Sequence, residues 1–262
     1  MLKICCPDFN IEQIALSGQC FRMKSDGNGN WLVPASGKLL KIQQISRGEC
    51  LFDCSEREYD EFWCDYFDMK TDYGAIKNFV RKLGDPFLTA AVDFGYGIRI
   101  LRQDLWEIIV TFIISQRNNI PRIKKTVARL CEGYGNSFPS AADLKNFSER
   151  DFAELGLGYR AEYVKNIVDA VENGDLNFDY LRKLSCADAI DYLKKFKGIG
   201  DKVANCIALY GLHKIEAFPI DIWIKRAIDL HYNGKFPLEK AQKFAGVIQQ
   251  YMFFYQKHLK RE

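Results

Sequence analysis

The sequence predicts an α+β protein in which an N-terminal antiparallel sheet with helices precedes a mostly helical region. Three observations support this class. Short strand-like segments flanked by turn residues occur before residue 54, and apolar residues recur at helical spacing after Pro86. Gly198-Ile199-Gly200 separates two helical patterns, which is typical of a helix–hairpin–helix. With 262 residues, the chain can form two subdomains, which we place at residues 1–98 and 99–262.

The N-terminal elements follow from local patterns. We predict strands at 31–34, 38–42 and 49–53, a hairpin turn at 27–30 and an amphipathic helix at 56–68. In the second region we predict helices at 104–115, 121–133, 149–154, 160–173, 186–195, 201–212, 222–230 and 238–258. The helix–hairpin–helix then occupies about 186–212, and we expect the last helix to pack back on the N-terminal part.

Composition excludes several classes of protein. The apolar run from Trp106 to Ile114 contains Glu107 and is too short to span a membrane, and Met1–Cys6 does not resemble an export signal. Nine scattered cysteines and three histidines predict reduced thiols, no iron–sulfur cluster, no zinc site and no cofactor. We therefore expect a cytoplasmic protein.

Charge becomes informative only locally. The net charge of +3, from 37 basic and 34 acidic residues, does not by itself indicate a nucleic-acid partner. However, no acid interrupts the five basic residues between Arg117 and Arg129, and Lys194, Lys195 and Lys197 flank the hairpin. Basic segments usually form solvated faces, but next to a hairpin of this kind they fit a surface that neutralises DNA phosphates.

The hairpin combines three features that are each ambiguous. Glycines permit a tight turn, and the amides of Gly198, Gly200 and Val203 at a helix N-terminus attract phosphate. Lys202 follows inside the second helix, and Asp221 lies shortly downstream. Alone, these are a turn, a solvated lysine and a helix N-cap. In this order they supply what a DNA glycosylase with strand-nicking activity needs: an amine nucleophile, favoured as the free amine by the helix dipole and partial burial, and a carboxylate.

The segment Phe196–Asp221 resembles the helix–hairpin–helix, Gly/Pro-rich loop and Asp motif of base-excision DNA glycosylases. It is most similar to the 8-oxoguanine DNA glycosylases shared by eukaryotes and some bacteria. Further similar segments lie far from the hairpin, so the resemblance covers nearly the whole chain: Ser17-Gly18-Gln19-Cys20-Phe21-Arg22, Leu101–Asp104, Ile114–Ile123 and Leu157–Ala161. The resemblance implies a monomer that acts on double-stranded DNA containing 8-oxoguanine, with Lys202 as nucleophile and Asp221 as the essential acid. It also implies that a structural cation can occupy the hairpin carbonyls when DNA is bound.

The resemblance also implies a pocket for the flipped base. Cys206 covers one face of the base, Phe253 stacks on the other, Gln249 binds the Watson–Crick edge, and the Gly18 carbonyl accepts the N7 hydrogen that guanine lacks. From the residues alone, Cys206 is equally a small buried residue, and Phe253 belongs to an aromatic-rich helix that could simply pack in the core.

A further set of residues corresponds to the wedge and to the recognition of the opposite base: Arg117, Asn118, Arg122, Tyr159 and Arg160. The resemblance implies that Arg117 and Tyr159 fill the gap left by the base, and that Arg122 and Arg160 bind the estranged cytosine, although phosphate contacts are the simpler role. Two departures from the family pattern bear on these contacts. Arg117 replaces a common asparagine, and Trp223 replaces a frequent histidine.

Two alternatives stay open from the sequence. An alkylated-base glycosylase of the same fold would typically lack the hairpin lysine, so Lys202 argues against it. A non-catalytic helix–hairpin–helix module would only hold phosphates, and Lys202 together with Asp221, Gly18 and Cys206 argues against that.

Overall fold

In the computed structural model of the protein, which describes residues 1–241 and 244–259, the N-terminal part is built on a five-stranded antiparallel sheet. The strands are β1 (Leu2–Cys5), β2 (Lys24–Ser25), β3 (Asn30–Ala35), β4 (Lys38–Ser46) and β5 (Glu49–Phe52), in the order β1-β5-β4-β3-β2. This confirms the predicted fold class and the three predicted strands. The sequence analysis missed β1, a half-exposed edge strand, and β2, whose two residues are too short for a periodic signal.

The helical bounds are as follows. In the first hundred residues the helices are Ile11–Leu16, Glu56–Glu58, the π-helical turn Tyr59–Trp63, Cys64–Tyr66, Tyr73–Lys82 and Pro86–Phe94. The remaining helices are Leu105–Ile114, Ile120–Leu130, Ala141–Leu144, Glu149–Glu154, Arg160–Glu172, Phe178–Lys183, Cys186–Leu193, Asp201–Tyr210, Ile222–His231, Leu238–Ala241 and Ala245–His258. No helix in the described part of the chain is both long and apolar enough to cross a membrane.

Three predicted helices differ from the structure. The segment predicted as one α-helix at 56–68 contains a π-helical turn, and the helix predicted at 121–133 ends at Leu130. The single helix predicted at 238–258 is wrong, because Leu238–Ala241 is separate from the C-terminal helix (Ala245–His258). Residues 242–243 lie outside the described part of the chain. The C-terminal helix starts where the Gly246 amide donates to the Ile215 carbonyl at 2.7 Å, in a space too tight for a side chain.

Two hydrophobic clusters organise the described residues. The smaller cluster packs beneath the sheet and contains Phe52, Trp63 and Phe67, whereas the larger one unites most of the helices. Arg99, which is only 1% exposed, donates to the carbonyls of Phe67, Asp8, Asp68 and Thr71, at 2.7–3.2 Å. The guanidinium is buried but fully hydrogen-bonded. It connects the segment around Phe67 to Thr71 with the segment around Arg99 that leads into the helical region.

The central helix (Leu105–Ile114) is the most buried element. Every residue except Glu107 is buried, which is the pattern of a helix surrounded by protein on all sides. Glu107 pairs with Arg22 at 2.9 Å, and Arg22 also donates to the carbonyls of Asn136 and Ser137. The Glu107 side chain is only 12% exposed, and this loss of water raises the pKa of its carboxyl to about 7 in spite of the arginine. The C-terminal end of the central helix points into the site described next.

Candidate active site

The helix–hairpin–helix consists of Cys186–Leu193 and the hairpin helix (Asp201–Tyr210), joined through residues 194–200. Gly198 has φ +89°, and a Cβ there would lie 2.4 Å from Cγ of Tyr163. Its carbonyl accepts from Nε2 of Gln116 at 2.8 Å. Only glycine combines the positive φ with the close approach of Tyr163. Gly198 therefore fixes the turn against the preceding helices.

Gly200 has a different role from Gly198. Its backbone is extended, with φ −95°, and a Cβ added to it would meet no other atom within 4 Å. Gly200 is the N-cap of the hairpin helix and provides no capping side chain. The first helical amides, including that of Val203, therefore have no side-chain cap from this residue, while the Val203 side chain itself is buried. A bound phosphate would satisfy these donors.

The three lysines beside the hairpin are not equally available. Lys194 pairs with Asp201 at 2.6 Å, and Lys197 pairs with Glu162. Lys195 lies over the ring of Tyr192, 5.6 Å from its centroid. The two ion pairs are exposed and therefore weak, so phosphates can compete for both lysines.

Lys202 lies in the first turn of the hairpin helix and reaches the end of the central helix. Its Nζ donates to Oγ of Ser115 at 3.3 Å and lies 5.2 Å from the centroid of the Phe112 ring. The Ser115 hydroxyl donates its own hydrogen to the Phe112 carbonyl at 2.8 Å. Ser115 therefore presents only lone pairs to Nζ, which orients the amine.

Asp221 caps the acid helix (Ile222–His231) and lies near Lys202. One carboxylate oxygen, Oδ1, accepts from the amides of Trp223 and Ile224 at 3.0 and 2.9 Å. Asp221 is therefore the helix N-cap predicted from the sequence. Both amides bind Oδ1, so neither of these two hydrogen bonds uses Oδ2. Burial raises the pKa of the Asp221 carboxyl, and the two amides together with the Lys202 charge oppose that shift only in part.

Cys206 lies one turn after Lys202 on the hairpin helix and is 3% exposed. Burial raises the pKa of its thiol to about 11, with Lys202 opposing and Asp221 reinforcing the shift. Cys206 is therefore a neutral thiol at physiological pH. As a compact, polarizable group beside the amine, it suits packing against a base rather than nucleophilic attack.

Gly18 and Phe253 meet although 235 residues separate them in the sequence. A Cβ on Gly18 would lie 3.2 Å from Cε1 of Phe253, and the φ of Gly18 is +80°. The Phe253 ring is partly exposed, and Lys257 Nζ lies 5.8 Å from its centroid. The structure thus brings together two of the predicted base-binding residues.

Gln249 lies on the C-terminal helix and contacts the loop that carries Asp221. Its Nε2 donates to the Pro219 carbonyl at 3.0 Å, whereas its buried Oε1 has no hydrogen-bond partner among the described residues. An orphaned buried acceptor is costly, which identifies this amide as a group that awaits a donor.

Tyr159, predicted as a wedge residue, and Arg160, predicted to bind the opposite base, both donate to one backbone carbonyl, that of Gln116. It accepts from the hydroxyl of Tyr159 at 3.3 Å and from Nε of Arg160 at 2.7 Å. Arg160 also donates to the Arg117 carbonyl at 3.0 Å and is only 4% exposed. Tyr159 is 52% exposed, so its ring is open to solvent, while the guanidinium of Arg160 holds the loop in place.

The loop that follows the central helix carries the remaining predicted contacts. Arg117 is exposed and has φ +44°, a left-handed conformation that asparagine adopts more readily than arginine. The Asn118 side chain donates to the Ile114 carbonyl at 3.2 Å and accepts from the Asn119 amide. The Arg122 side chain is exposed in the first turn of the next helix, and Trp223 is partly exposed beside Asp221.

Sequence reasoning did not assign a role to several residues that build the site. Phe112 and Ser115 contact the amine of Lys202, and Gln116 joins the central helix to the hairpin. Ser115 and Gln116 fall within a matched motif, but nothing in their spacing indicates what they contact. Within residues 1–241 and 244–259, no group of His, Cys, Asp and Glu side chains could hold a metal ion.

Fold and site together define a helix–hairpin–helix protein with a lysine and a partly buried aspartate at two neighbouring helix N-termini. Residues 110–245 match the HhH-GPD superfamily of base excision DNA repair proteins, and residues 1–109 match the N-terminal domain of 8-oxoguanine DNA glycosylases. The chain therefore belongs to the 8-oxoguanine DNA glycosylase family of the HhH-GPD superfamily.

Two solved structures and one curated relative show the similarity. An 8-oxoguanine glycosylase/lyase of Clostridium acetobutylicum, in complex with DNA containing cytosine opposite 8-oxoguanine, has 39% identity and a TM-score of 0.88 over 95% of this chain and 92% of that one. MBOgg1, in complex with a low-affinity DNA ligand, has 33% identity and a TM-score of 0.92 over 99% and 96%. The N-glycosylase/DNA lyase of Saccharomyces cerevisiae is 35% identical over 160 residues, or 52% of this chain and 42% of the yeast protein. The match thus spans less than half of that curated relative.

The two hairpin glycines provide a matched test of the site's construction. We expect Gly198→Ala to lower the free energy of unfolding by about 2–4 kcal/mol, because the methyl group collides with Tyr163 at a strained φ. Gly200→Ala should leave it within about 0.5 kcal/mol, because space is open and the backbone is extended. Urea unfolding measures both. Equal losses would contradict this assignment.

Proposed function

We propose that this protein is a bifunctional DNA glycosylase and abasic-site lyase that excises 8-oxoguanine from duplex DNA. The observation that carries the proposal is the amine of Lys202, oriented by Ser115 and placed near the carboxylate of Asp221. The family of the chain and the similarity to a glycosylase/lyase over nearly all of its length support the same activity.

The chemistry follows from these two groups. The free amine of Lys202 attacks C1′ of the damaged nucleotide, and the bond between C1′ and N9 breaks with its electron pair leaving on the base. The proton that the new ammonium loses compensates the charge of the departing base. Asp221 stabilises the positive character that develops on the sugar.

Ring opening then gives a Schiff base between Lys202 and C1′. Removal of a proton from C2′ expels the 3′ phosphate, which cleaves the strand on the 3′ side of the lesion. Hydrolysis of the remaining imine returns the free lysine. Each of these steps needs the same amine, so both activities depend on Lys202.

The base pocket combines four residues. We assign the stacking faces to Cys206 and Phe253, and the Watson–Crick edge to Gln249, whose buried Oε1 receives no hydrogen bond from the part of the protein that the structure describes. A flipped purine that carries hydrogens on N1 and N2 would supply that donor. We assign the N7 hydrogen of 8-oxoguanine to the carbonyl of Gly18, which would repel the N7 lone pair of guanine.

The remaining contacts concern the duplex. We propose that the amides of Gly198, Gly200 and Val203 bind a backbone phosphate, with a cation able to join the hairpin carbonyls. Tyr159, Arg117 and Asn118 would fill the helix at the lesion, with Arg122 and Arg160 near the opposite cytosine. We expect a monomer that works wherever the cell keeps its DNA: the nucleoid of a bacterium or the nucleus of a eukaryote.

Lys202→Gln should abolish both base release and covalent trapping, because the amide cannot attack C1′. Borohydride reduction on DNA containing 8-oxoguanine traps the Schiff base as a stable adduct, which gel electrophoresis measures. Lys195→Gln removes a lysine of the same hairpin and should keep the adduct. A Lys202→Gln protein that is trapped at the wild-type rate would rule out Lys202 as the nucleophile.

Asp221→Asn separates capping from catalysis, since asparagine caps helices as well as aspartate does. We expect excision to slow by about 100-fold or more while the free energy of unfolding changes little. The raised pKa of Asp221 also predicts that activity is lost as pH falls through a value above 3.8, because the carboxylate becomes protonated. A pH–rate profile measures this limb, and near-normal turnover of Asp221→Asn would favour the cap alone.

Arg117 predicts weaker discrimination for cytosine opposite the lesion than an asparagine would give, because a long exposed cation contacts phosphates and several base edges alike. Single-turnover excision with each of the four bases opposite 8-oxoguanine measures this preference. Arg117→Asn should sharpen it and should also relieve the left-handed backbone strain. If the wild type is already strict for cytosine and the variant is unchanged, Arg117 does not affect the choice.

A further inference from the structure

A chain of buried hydrogen bonds joins the hairpin helix to the segment that carries Gly18. The hydroxyl of Tyr210 donates to Oε1 of Gln250, and Nε2 of Gln250 donates to the carbonyl of Ser17 at 2.6 Å. These three residues are 5%, 1% and 1% exposed, respectively. They come from three separate elements, so the contacts tie together parts of the chain that are distant in sequence.

The hydroxyl of Tyr210 decides which way the Gln250 amide faces. An amide has a donor end and an acceptor end, and the tyrosine hydroxyl occupies the acceptor end. Burial raises the pKa of Tyr210 well above its usual value, so the hydroxyl keeps its proton and stays a donor. Without that donor, Oε1 would be a buried acceptor with no partner, and the contact with Ser17 would lose its orientation.

The Ser17 carbonyl belongs to the peptide bond that precedes Gly18. Glycine has no Cβ to restrict its backbone, so the φ of +80° must be imposed by its neighbours. On the other side, the Gln19 side chain donates to the Arg99 carbonyl at 2.8 Å and accepts from the Leu101 amide at 2.9 Å. The residues on both sides of Gly18 are therefore held by hydrogen bonds: Ser17 by Gln250, and Gln19 by the backbone of Arg99 and Leu101.

Tyr210 also contacts Phe112, the aromatic ring next to the amine of Lys202. Its ring stacks on Phe112, with centroids 5.3 Å apart and an interplanar angle of 16°. The amine of Lys202 lies over the Phe112 ring, 5.2 Å from its centroid. Tyr210 thus contacts both Phe112, which lies next to the Lys202 amine, and Gln250, which holds the segment of Gly18.

We propose that Tyr210 and Gln250 are positioning residues that hold the Gly18 carbonyl in register with Lys202 and thereby control recognition of the damaged base. The inference rests on the proposed function, in which that carbonyl accepts the N7 hydrogen of 8-oxoguanine. Because hydrogen bonds weaken steeply when they are misaligned, a small rotation of the Gly18 peptide weakens recognition without moving the amine. Neither residue needs to touch the substrate.

The test compares two reactions of the whole protein. Under single-turnover conditions, we measure excision of 8-oxoguanine and cleavage of DNA that already contains an abasic site. Only the first reaction requires recognition of a base. Tyr210→Phe should slow excision by about tenfold and leave abasic-site cleavage unchanged.

Tyr251→Phe is the matched control. It removes the hydroxyl of another buried tyrosine, the residue that follows Gln250 in the sequence. This hydroxyl donates to the Ile98 carbonyl at 3.3 Å, and no hydrogen bond among the described residues connects it to Ser17. We expect it to change neither reaction. Gln250→Met keeps the volume and should match Tyr210→Phe, and combining the two substitutions should add no further loss, since both break one chain.

Three results would overturn the inference: wild-type excision by Tyr210→Phe, an equal fall of both reactions, or additive effects of the two substitutions. Equal falls would indicate general damage to the fold. A wild-type protein that cleaves abasic sites but releases no 8-oxoguanine would instead reject the proposed function, and this inference with it.

Discussion

The burial of the central helix is the constraint on which the rest of the structure depends. All residues from Leu105 to Ile114 except Glu107 are buried, so this helix fixes the position of everything that packs around it. Its last turn and the residues after it then contact Lys202 through Phe112 and Ser115, and the hairpin through Gln116. The site is therefore built next to the most buried helix in the described part of the chain rather than on a surface loop.

Two helix N-termini lie beside this element, and they differ in how their first amides are capped. The acid helix is capped by Asp221, whose Oδ1 satisfies two amides. The hairpin helix begins at Asp201, and its N-cap, Gly200, provides no capping side chain. An aspartate at one end supplies negative charge near the amine, whereas the open end offers donors to an anion. The same feature of helices thus positions both the carboxylate that we propose as catalytic and the amides that we propose to bind a DNA phosphate.

Burial sets the protonation states in and near the site. It raises the pKa of the Cys206 thiol to about 11, so that this residue stays neutral, and it also raises the pKa of Asp221, where two amides and the Lys202 charge oppose the shift. The neighbouring groups therefore separate into an unreactive thiol and an available carboxylate. The amides of Trp223 and Ile224 stabilise the carboxylate of Asp221, which is only partly buried.

By itself, the sequence determined the fold class, three strands, most helices, and the placement of Lys202 and Asp221 at the N-termini of two helices. These features are encoded over a few neighbouring residues: alternating or helical periodicity, two glycines, and a cap before an apolar run. Only the tertiary structure decided that Ser115 orients Lys202, that Phe253 lies against Gly18, and that Tyr210 connects through Gln250 to Ser17. Such contacts join residues as much as 235 positions apart. They depend on how the helices pack, and no local pattern of residues records that arrangement.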